Sequence, residues 1–478
     1  MDETGLTRTD LGLFLELNAI DPELPAYRRL FLALRRSILK RHIAGGARVP
    51  STRTLAGALG ISRNTVKSAY ELLQAEGYLV SRRGAGCYVA DLPEIAPVHV
   101  DGEQASAARS AWEPQAPPAQ NPSYQLLQPA VPALDQFPYR RWQRALQSSV
   151  SSPRLLAGDP QGDARLRQEI VRWLSAQRGM QADASQVVIT SGSQQGLYLV
   201  ANELIAAGEP VALELPGFPG TERVFERVGA QIEHFRQQDL DDMEALGRVK
   251  LMVITPSRNF PLGHTLPADR RLALLNRAHE NGSWLVEDDY DSEFSAGPAL
   301  SALFSLDSRE RVIYAGTFSR TLFPGLRIGY LVLPQGLVDR FVALRRIIDG
   351  GLSTPAQVAL AEFMANGDYS RHLRRMKRLY GQRRQRLEQL LSNSALASLP
   401  VIDAGGGMHL CLQLPDSWDD HALAQSLVKK GVSARALRLY DSAGMPGLVL
   451  GFAADGAERL ARGVQLLEQV VGPALSGR

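Results

Sequence analysis

The chain has 478 residues, 45% of them apolar and 22% charged, so it is too long for one ordinary domain and too apolar for wholesale disorder. Lys and Arg total 53 against 50 Asp and Glu, a formal charge of +3, so any affinity for nucleic acid must come from a local basic patch and not from the chain average. Cys87 and Cys411 are the only cysteines and neither has a His or Cys neighbour at metal-ligand spacing, which argues against a disulfide framework and a zinc site. The N-terminus is acidic and polar, and no stretch approaches the ~18 apolar residues of a membrane span, so a cytoplasmic protein is expected.

After a tail over 1–23, residues 24–90 read as one compact unit. Leu30, Leu34 and Ile38 recur at helical spacing among Arg28, Arg29, Arg35 and Arg36, which predicts a helix with a basic outer face. Pro50-Ser51 signals a short helix through Leu59, ended by Gly60, and Ser62 caps a second helix running to Glu76. Two short strands, Tyr78–Val80 and Cys87–Ala90, then flank the basic, glycine-bearing turn 81–86, giving a β-wing. Residues 91–122 scatter six prolines among Ala, Gln, Glu and Ser without an apolar period and read as a linker. From 123 to 478 the apolar runs Val187–Thr190, Val211–Leu215, Leu251–Thr255, Trp284–Glu287 and Val312–Ala315 alternate with helical segments, the pattern of an α/β domain with a largely parallel sheet.

On the second helix of the pair, Val66, Tyr70 and Leu73 share one face, while Arg63, Asn64 and Lys67 share the opposite face near its N-terminus. On an isolated helix that basic face would read as merely solvated. Joined to a tight turn and a wing it reads as a recognition helix, whose first turn meets base edges and phosphates while Arg53 and the wing's Arg82 and Arg83 reach the backbone of double-stranded DNA. The string VPSTRTLAGALGISRNTVKSAYELLQAEGYLVSRRGAGCYV resembles the GntR-type winged helix-turn-helix over nearly its whole length. That resemblance implies DNA contacts by Arg53, Ser62, Arg63, Asn64, Thr65, Lys67, Arg83 and Gly84; Cys87 stands where the family often has Thr, a change read as packing.

Five motifs, each after a predicted strand, punctuate the larger domain: SGSQQGL (191–197), LPGFPG (215–220), TPSRNFPLG (255–263), EDDYDSEF (287–294) and GTFSRTLFPGLRIGY (316–330). Loops after parallel strands are where such sheets bind ligands, and a Gly-Ser-Gln loop opening a helix offers N–H groups and a positive dipole to a phosphate. Taken alone, SGSQQGL is weak evidence, and Asp288-Asp289-Tyr290 could be an exposed acidic loop. In this order, and fused to the N-terminal unit, the five resemble the MocR/GabR-type regulators, in which the winged helix-turn-helix (α+β) precedes an α/β domain with the fold-type-I aminotransferase architecture. The resemblance spans about residues 24–475. It implies that Ser193, Gln194, Thr317, Ser319 and Arg327 hold the phosphate of pyridoxal 5'-phosphate, that Phe218 stacks on its ring, that Asp288 meets the pyridine nitrogen and that Tyr290 meets the phenolic oxygen.

The pattern breaks at one position. The residue after Ser319 in this family is the lysine that bonds covalently to the cofactor's aldehyde, and here it is Arg320. A guanidinium stays charged and delocalises its lone pairs, so it cannot attack an aldehyde. The lysines are Lys40, Lys67, Lys250, Lys377, Lys429 and Lys430, none of them inside the five motifs, and rescue by Lys250 is not expected. Leu215 and Arg258-Asn259 depart from polar residues and a His-Gln pair common in the family, and Val449 stands where amino-acid aminotransferases place a carboxylate-clamping arginine. Two readings of Arg320 stand side by side: the cofactor or another phosphorylated ligand binds non-covalently with Arg320 as a hydrogen-bond donor, or the pocket has decayed and Arg320 fills it or pairs with Asp288. The expectation is a non-catalytic, homodimeric transcription regulator with a possible small-molecule effector. A working aminotransferase with an accessory DNA-binding arm, or a hub whose winged helix contacts protein, are the rivals.

Overall fold

The computed structural model describes residues 21, 24–82, 86–92, 124–150, 158–241, 248–295, 297, 300–402 and 405–476. The chain divides into two compact units, Met1–Pro117 and Pro118–Arg478. Residues 1–20 of the expected tail, 93–122 of the expected linker, and the wing residues Arg83 and Gly84 lie outside the described residues.

In the smaller unit, helix α1 (Ala26–Leu39) buries Leu30, Phe31, Leu34 and Ile38, the stripe that the periodicity predicts. Helix α2 (Thr52–Leu59) begins where the Ser51 hydroxyl accepts from the Thr54 N–H at 3.1 Å and ends at Gly60, whose φ of 65° suits a residue without Cβ. Helix α3 (Arg63–Ala75) is capped in the same way by Ser62 through the Thr65 N–H, and buries Val66, Ala69, Tyr70 and Leu73 against α1. Burial of each large apolar side chain contributes roughly 1.5–3 kcal/mol to holding the helices together. The wing is an antiparallel pair, β1 (Leu79–Arg82) and β2 (Gly86–Val89), with Leu79 opposite Val89 and Arg82 opposite Gly86. The sequence reading assigned Ser81 and Arg82 to the turn. The ladder instead continues through them, and the Arg82 guanidinium lies 4.7 Å from the centre of the Tyr88 ring, a cation–π contact that holds the strand extended.

The larger unit is built on a seven-stranded sheet of order β3-β9-β8-β7-β6-β4-β5, formed by β3 (Val187–Thr190), β4 (Pro210–Glu214), β5 (Gln231–Phe235), β6 (Leu251–Ile254), β7 (Trp284–Asp289), β8 (Val312–Thr317) and β9 (Gly329–Val332). Every neighbouring pair is parallel except those made by β9, which runs antiparallel to both β3 and β8. Apolar clusters cover both faces, explaining why these strands read as unbroken hydrophobic runs. A second, antiparallel sheet of order β10-β11-β13-β12 comes from the C-terminal part, with β10 (Val401–Ile402), β11 (His409–Gln413), β12 (Arg435–Ala436) and β13 (Gly447–Gly451). Two predicted strands run longer than expected: β7 reaches Asp289 and β8 reaches Thr317, pairing Asp288 with Ala315 and Asp289 with Gly316. Gly316 is required there, since a Cβ would lie 2.3 Å from the Tyr330 ring.

Candidate functional site

The first turn of α3 presents Ser62, Arg63, Asn64 and Lys67 to solvent, and Arg53 is likewise exposed on α2. The Arg63 Nε donates to Thr52 Oγ1 at 3.3 Å, which links the two helices and steadies the arginine without burying it. Lys67 is 68% exposed and forms only a 3.7 Å pair with Glu71, a contact that water screens heavily. Ser62 and Thr65 are engaged in capping: their hydroxyls are 2.8 Å apart, and the Ser62 oxygen also takes the Thr65 N–H. Arg48, absent from the sequence-derived set, forms a β-bridge to Tyr88 and places its guanidinium beside Gly86 at the wing's edge. The signal for it would have been a strand opposite the wing, which a single bridging residue does not announce.

In the larger unit the motifs converge at the C-terminal ends of the parallel strands. Helix α4 (Ser193–Leu204) opens at Gly192, φ 79°, and has no side-chain cap, so its first N–H groups and its positive end lack that acceptor. Arg327 folds over this opening: its Nη2 donates to the Ser191 carbonyl at 2.8 Å, and a Cβ on Gly192 would sit 3.1 Å from its guanidinium carbon. The loop after β8 brings Thr317 and Ser319, with the Ser319 N–H donating to Thr317 Oγ1 at 3.2 Å. The Ser319 hydroxyl is buried and has no hydrogen-bond partner. Gln194 donates to the Gly220 carbonyl at 2.8 Å, tying the helix to the 215–220 loop. Phe218 on that loop is 46% exposed and meets Phe260 edge-on at 6.5 Å.

The strand end of β7 separates two neighbouring carboxylates by its alternation of faces. Asp289 is fully partnered: it accepts from the Tyr314 hydroxyl at 2.7 Å and from the Ser292 hydroxyl at 2.8 Å, and pairs with Arg178 at 3.1 Å. Glu287, on the same face, lies 3.5 Å from that arginine. Asp288, on the other face, has a buried Oδ1 with no partner. Burial and the charge of Asp289 push its carboxyl up to about 7, with Arg320 pulling the other way. The Tyr290 hydroxyl is buried beside Arg258, and desolvation raises it well above the usual phenol range. Asp291 pairs with Arg258 at 3.5 Å and is pushed up to about 6, mainly by burial.

Arg320 lies half-buried in this cleft, in the electrostatic reach of Asp291, Tyr290, Tyr440 and Asp288. Its Nη1 donates to the Ala130 carbonyl at 2.6 Å, and it forms no ion pair with Asp288 or any other carboxylate among the described residues. Lys250 immediately precedes β6, at the end remote from the motifs, and pairs with Glu209 at 3.4 Å, so it offers no substitute amine. Val449 is fully buried with Cys411, Leu437 and Tyr440, so an apolar cluster stands where a carboxylate clamp would be. Arg258, Asn259 and Tyr440 are further cleft residues. Asn259 donates to the Pro216 carbonyl at 3.2 Å and keeps a buried, unpartnered Oδ1. Tyr440 arrives from a C-terminal segment that carries no motif, which is why sequence alone did not reveal it.

The residues present fit a pyridoxal phosphate: the unpartnered Ser319 hydroxyl and the open helix start suit its phosphate, and the unpartnered Asp288 oxygen suits a protonated pyridine nitrogen. They do not provide the amine for a covalent bond. Among the described residues no group of three His, Cys, Asp or Glu side chains could hold a metal ion, and no helix is long and apolar enough to cross a membrane.

Residues 26–89 match the model of the bacterial regulatory proteins of the gntR family, and residues 130–447 match that of the class I and II aminotransferases. The chain is 33% identical to the probable rhizopine catabolism regulatory protein MocR of Rhizobium meliloti, covering 94% of each sequence. It is 34% identical to the transcriptional regulator TauR of Rhodobacter capsulatus, over 86% of this chain and 89% of that one. It is 31% identical to the pyridoxine biosynthesis regulator PdxR of Corynebacterium glutamicum, over 89% and 92%. Among solved structures, the Pyrococcus horikoshii kynurenine aminotransferase superposes with a TM-score of 0.67 at 25% identity, covering 74% of this chain and 92% of that one. The Thermus thermophilus alpha-aminoadipate aminotransferase does so at 0.68 and 25%, covering 74% and 93%.

Proposed function

Since the chain belongs to the MocR-type branch of the GntR family of transcription regulators, we propose that α3 enters the major groove of DNA while the larger unit serves for dimerisation and ligand sensing. The protein is a DNA-binding transcription regulator with an aminotransferase-like domain. In this reading it works in the cytoplasm, with a tail over 1–23, the winged helix over 24–90, a linker over 91–122 and the effector domain over 123–478. The observation that carries the DNA role is the exposed basic first turn of α3, framed by Arg53 and the wing. Arg63, Asn64 and Lys67 reach bases and phosphates, with Arg83 and Gly84 of the wing tip on the backbone, while Ser62 and Thr65 preset the helix start. A homodimer would set two such helices on paired half-sites.

For the cleft, the reading is non-covalent binding of pyridoxal 5'-phosphate. Ser193, Gln194, Thr317, Ser319 and Arg327 hold the phosphate, Asp288 takes the ring nitrogen, Tyr290 takes the phenolic oxygen and Phe218 covers a ring face. Bound there, the cofactor supplies a phosphate, a pyridinium nitrogen and an aldehyde oxygen, and Arg320 offers that oxygen a charged donor. Transamination is not part of the proposal, because position 320 presents no amine.

The DNA role is tested with the double variant Arg63→Ala, Lys67→Ala. Its affinity for DNA upstream of the protein's own gene is followed across salt concentrations. Loss of two phosphate contacts lowers the slope of log K against log salt by roughly 2. Unchanged affinity and slope would refute the interface.

A further inference from the structure

The cleft holds several carboxylates, and most are already engaged. Asp289 and Glu287 are bound to Arg178, Tyr314 and Ser292 on the far face of β7. Asp291 is paired with Arg258. The buried Oδ1 of Asp288 has no hydrogen-bond partner, and it is the atom that a protonated pyridine nitrogen would meet. Opposed to these stands the half-buried Arg320 guanidinium, with only the Ala130 carbonyl accepting from it among the described residues. A guanidinium carries five N–H donors and no acceptor, so it welcomes an oxygen and repels a second cation in a desolvated space.

Vitamin B6 phosphates differ from one another in the substituent beside the phenolic oxygen. It is an aldehyde in the pyridoxal form, a neutral hydroxymethyl in the pyridoxine form and an ammonium in the pyridoxamine form. Resting on the reading that such a phosphate occupies the cleft, we propose that Arg320 is a specificity residue: it makes the site accept the aldehyde and hydroxymethyl forms and reject the ammonium form. In the family pattern the lysine at this position joins itself to the ligand and selects by reaction. Here selection is by charge, and the ligand leaves unchanged. Were the phenolic oxygen held at Tyr290, the adjacent substituent would lie in the field of Arg320, which acts on Tyr290 and Asp288, while Asp291, the carboxylate acting most strongly on that guanidinium, is paired with Arg258.

The test is calorimetric titration of the full-length protein with pyridoxal phosphate, pyridoxine phosphate and pyridoxamine phosphate. The pyridoxine and pyridoxamine pair is decisive, because neither can react with surface lysines. Pyridoxine phosphate is expected to bind at least about tenfold more tightly than pyridoxamine phosphate. In Arg320→Met the two should fall within about threefold of each other, and Arg320→Gln, which keeps a donor for Ala130 without the charge, should do the same. Equal binding of the two by the native protein, or a ratio that survives both substitutions, overturns the proposal. Binding of none of the three by the native protein overturns the cofactor reading beneath it, a result distinguishable from binding without discrimination.

Discussion

Asp288→Asn should make the unliganded protein more stable, and increasingly so as the pH rises. In the native cleft the carboxyl is raised from 3.8 to about 7, chiefly by burial. Between those values the folded chain keeps a proton that the unfolded chain gives up, so folding stability falls as pH rises from ~4 to ~7 and is flat above. The rise from 3.8 to about 7 corresponds to ~4 kcal/mol lost at pH 8, against ~2 kcal/mol at pH 5. Asparagine has nearly the same shape and no charge to strand. For a unit of roughly 360 residues, with an unfolding entropy of ~2 cal/mol/K per residue, the gain in melting temperature is about 5 °C at pH 8 and about 2 °C at pH 5. Differential scanning calorimetry of native and variant protein at the two pH values reads this directly, because neighbouring acids titrate in both chains and largely cancel. The same variant should bind pyridoxine phosphate at least about tenfold more weakly, an exchange of stability for function common at binding sites. A variant that melts at or below the native temperature at pH 8, or a gap that fails to widen with pH, would refute the assignment of Asp288 as a stranded acid.

Ser62→Ala removes the side-chain cap of α3 and should cost ~1 kcal/mol in the smaller unit. DNA affinity should fall while the salt slope stays near its native value; a slope that fell by a full contact would show a direct phosphate role instead. Val449→Arg, which installs the residue common in amino-acid aminotransferases, buries a cation among Cys411, Leu437 and Tyr440 and should destabilise the larger unit by several kcal/mol. Calorimetry checks it, and a melting temperature within 1 °C of native would mean roughly that the site already accommodates a charge.

The parts of this molecule that were legible in sequence are those fixed by neighbours in the chain. Ser51, Gly60 and Ser62 state the two helix boundaries within a few residues, and β3 coincides with its apolar run. The motif loops follow their strands, so the placement of Ser193, Ser319 and Arg327 just beyond strand ends was readable too. What the sequence did not announce depends on distant partners. Strand β9 hides within the last motif, because its antiparallel direction is decided by β3 and β8 on either side. The two-residue strands β10 and β12 are too short to show a period, and exist only because β11 and β13 supply their ladders. Arg320 was visible as a missing amine, but its acceptor lies 190 residues away at Ala130.

That acceptor gives the cleft a mechanical address. Ala130 sits in the stretch by which the polypeptide enters the larger unit, where the Leu127 N–H is clasped by Asp455 at 2.7 Å and its carbonyl by the N–H of Gly451 at 2.8 Å. The guanidinium is therefore one of the fasteners on that doorway. For any occupant that broke the Arg320–Ala130 hydrogen bond, linkage would require that loosening this stretch change the occupant's affinity by the same factor.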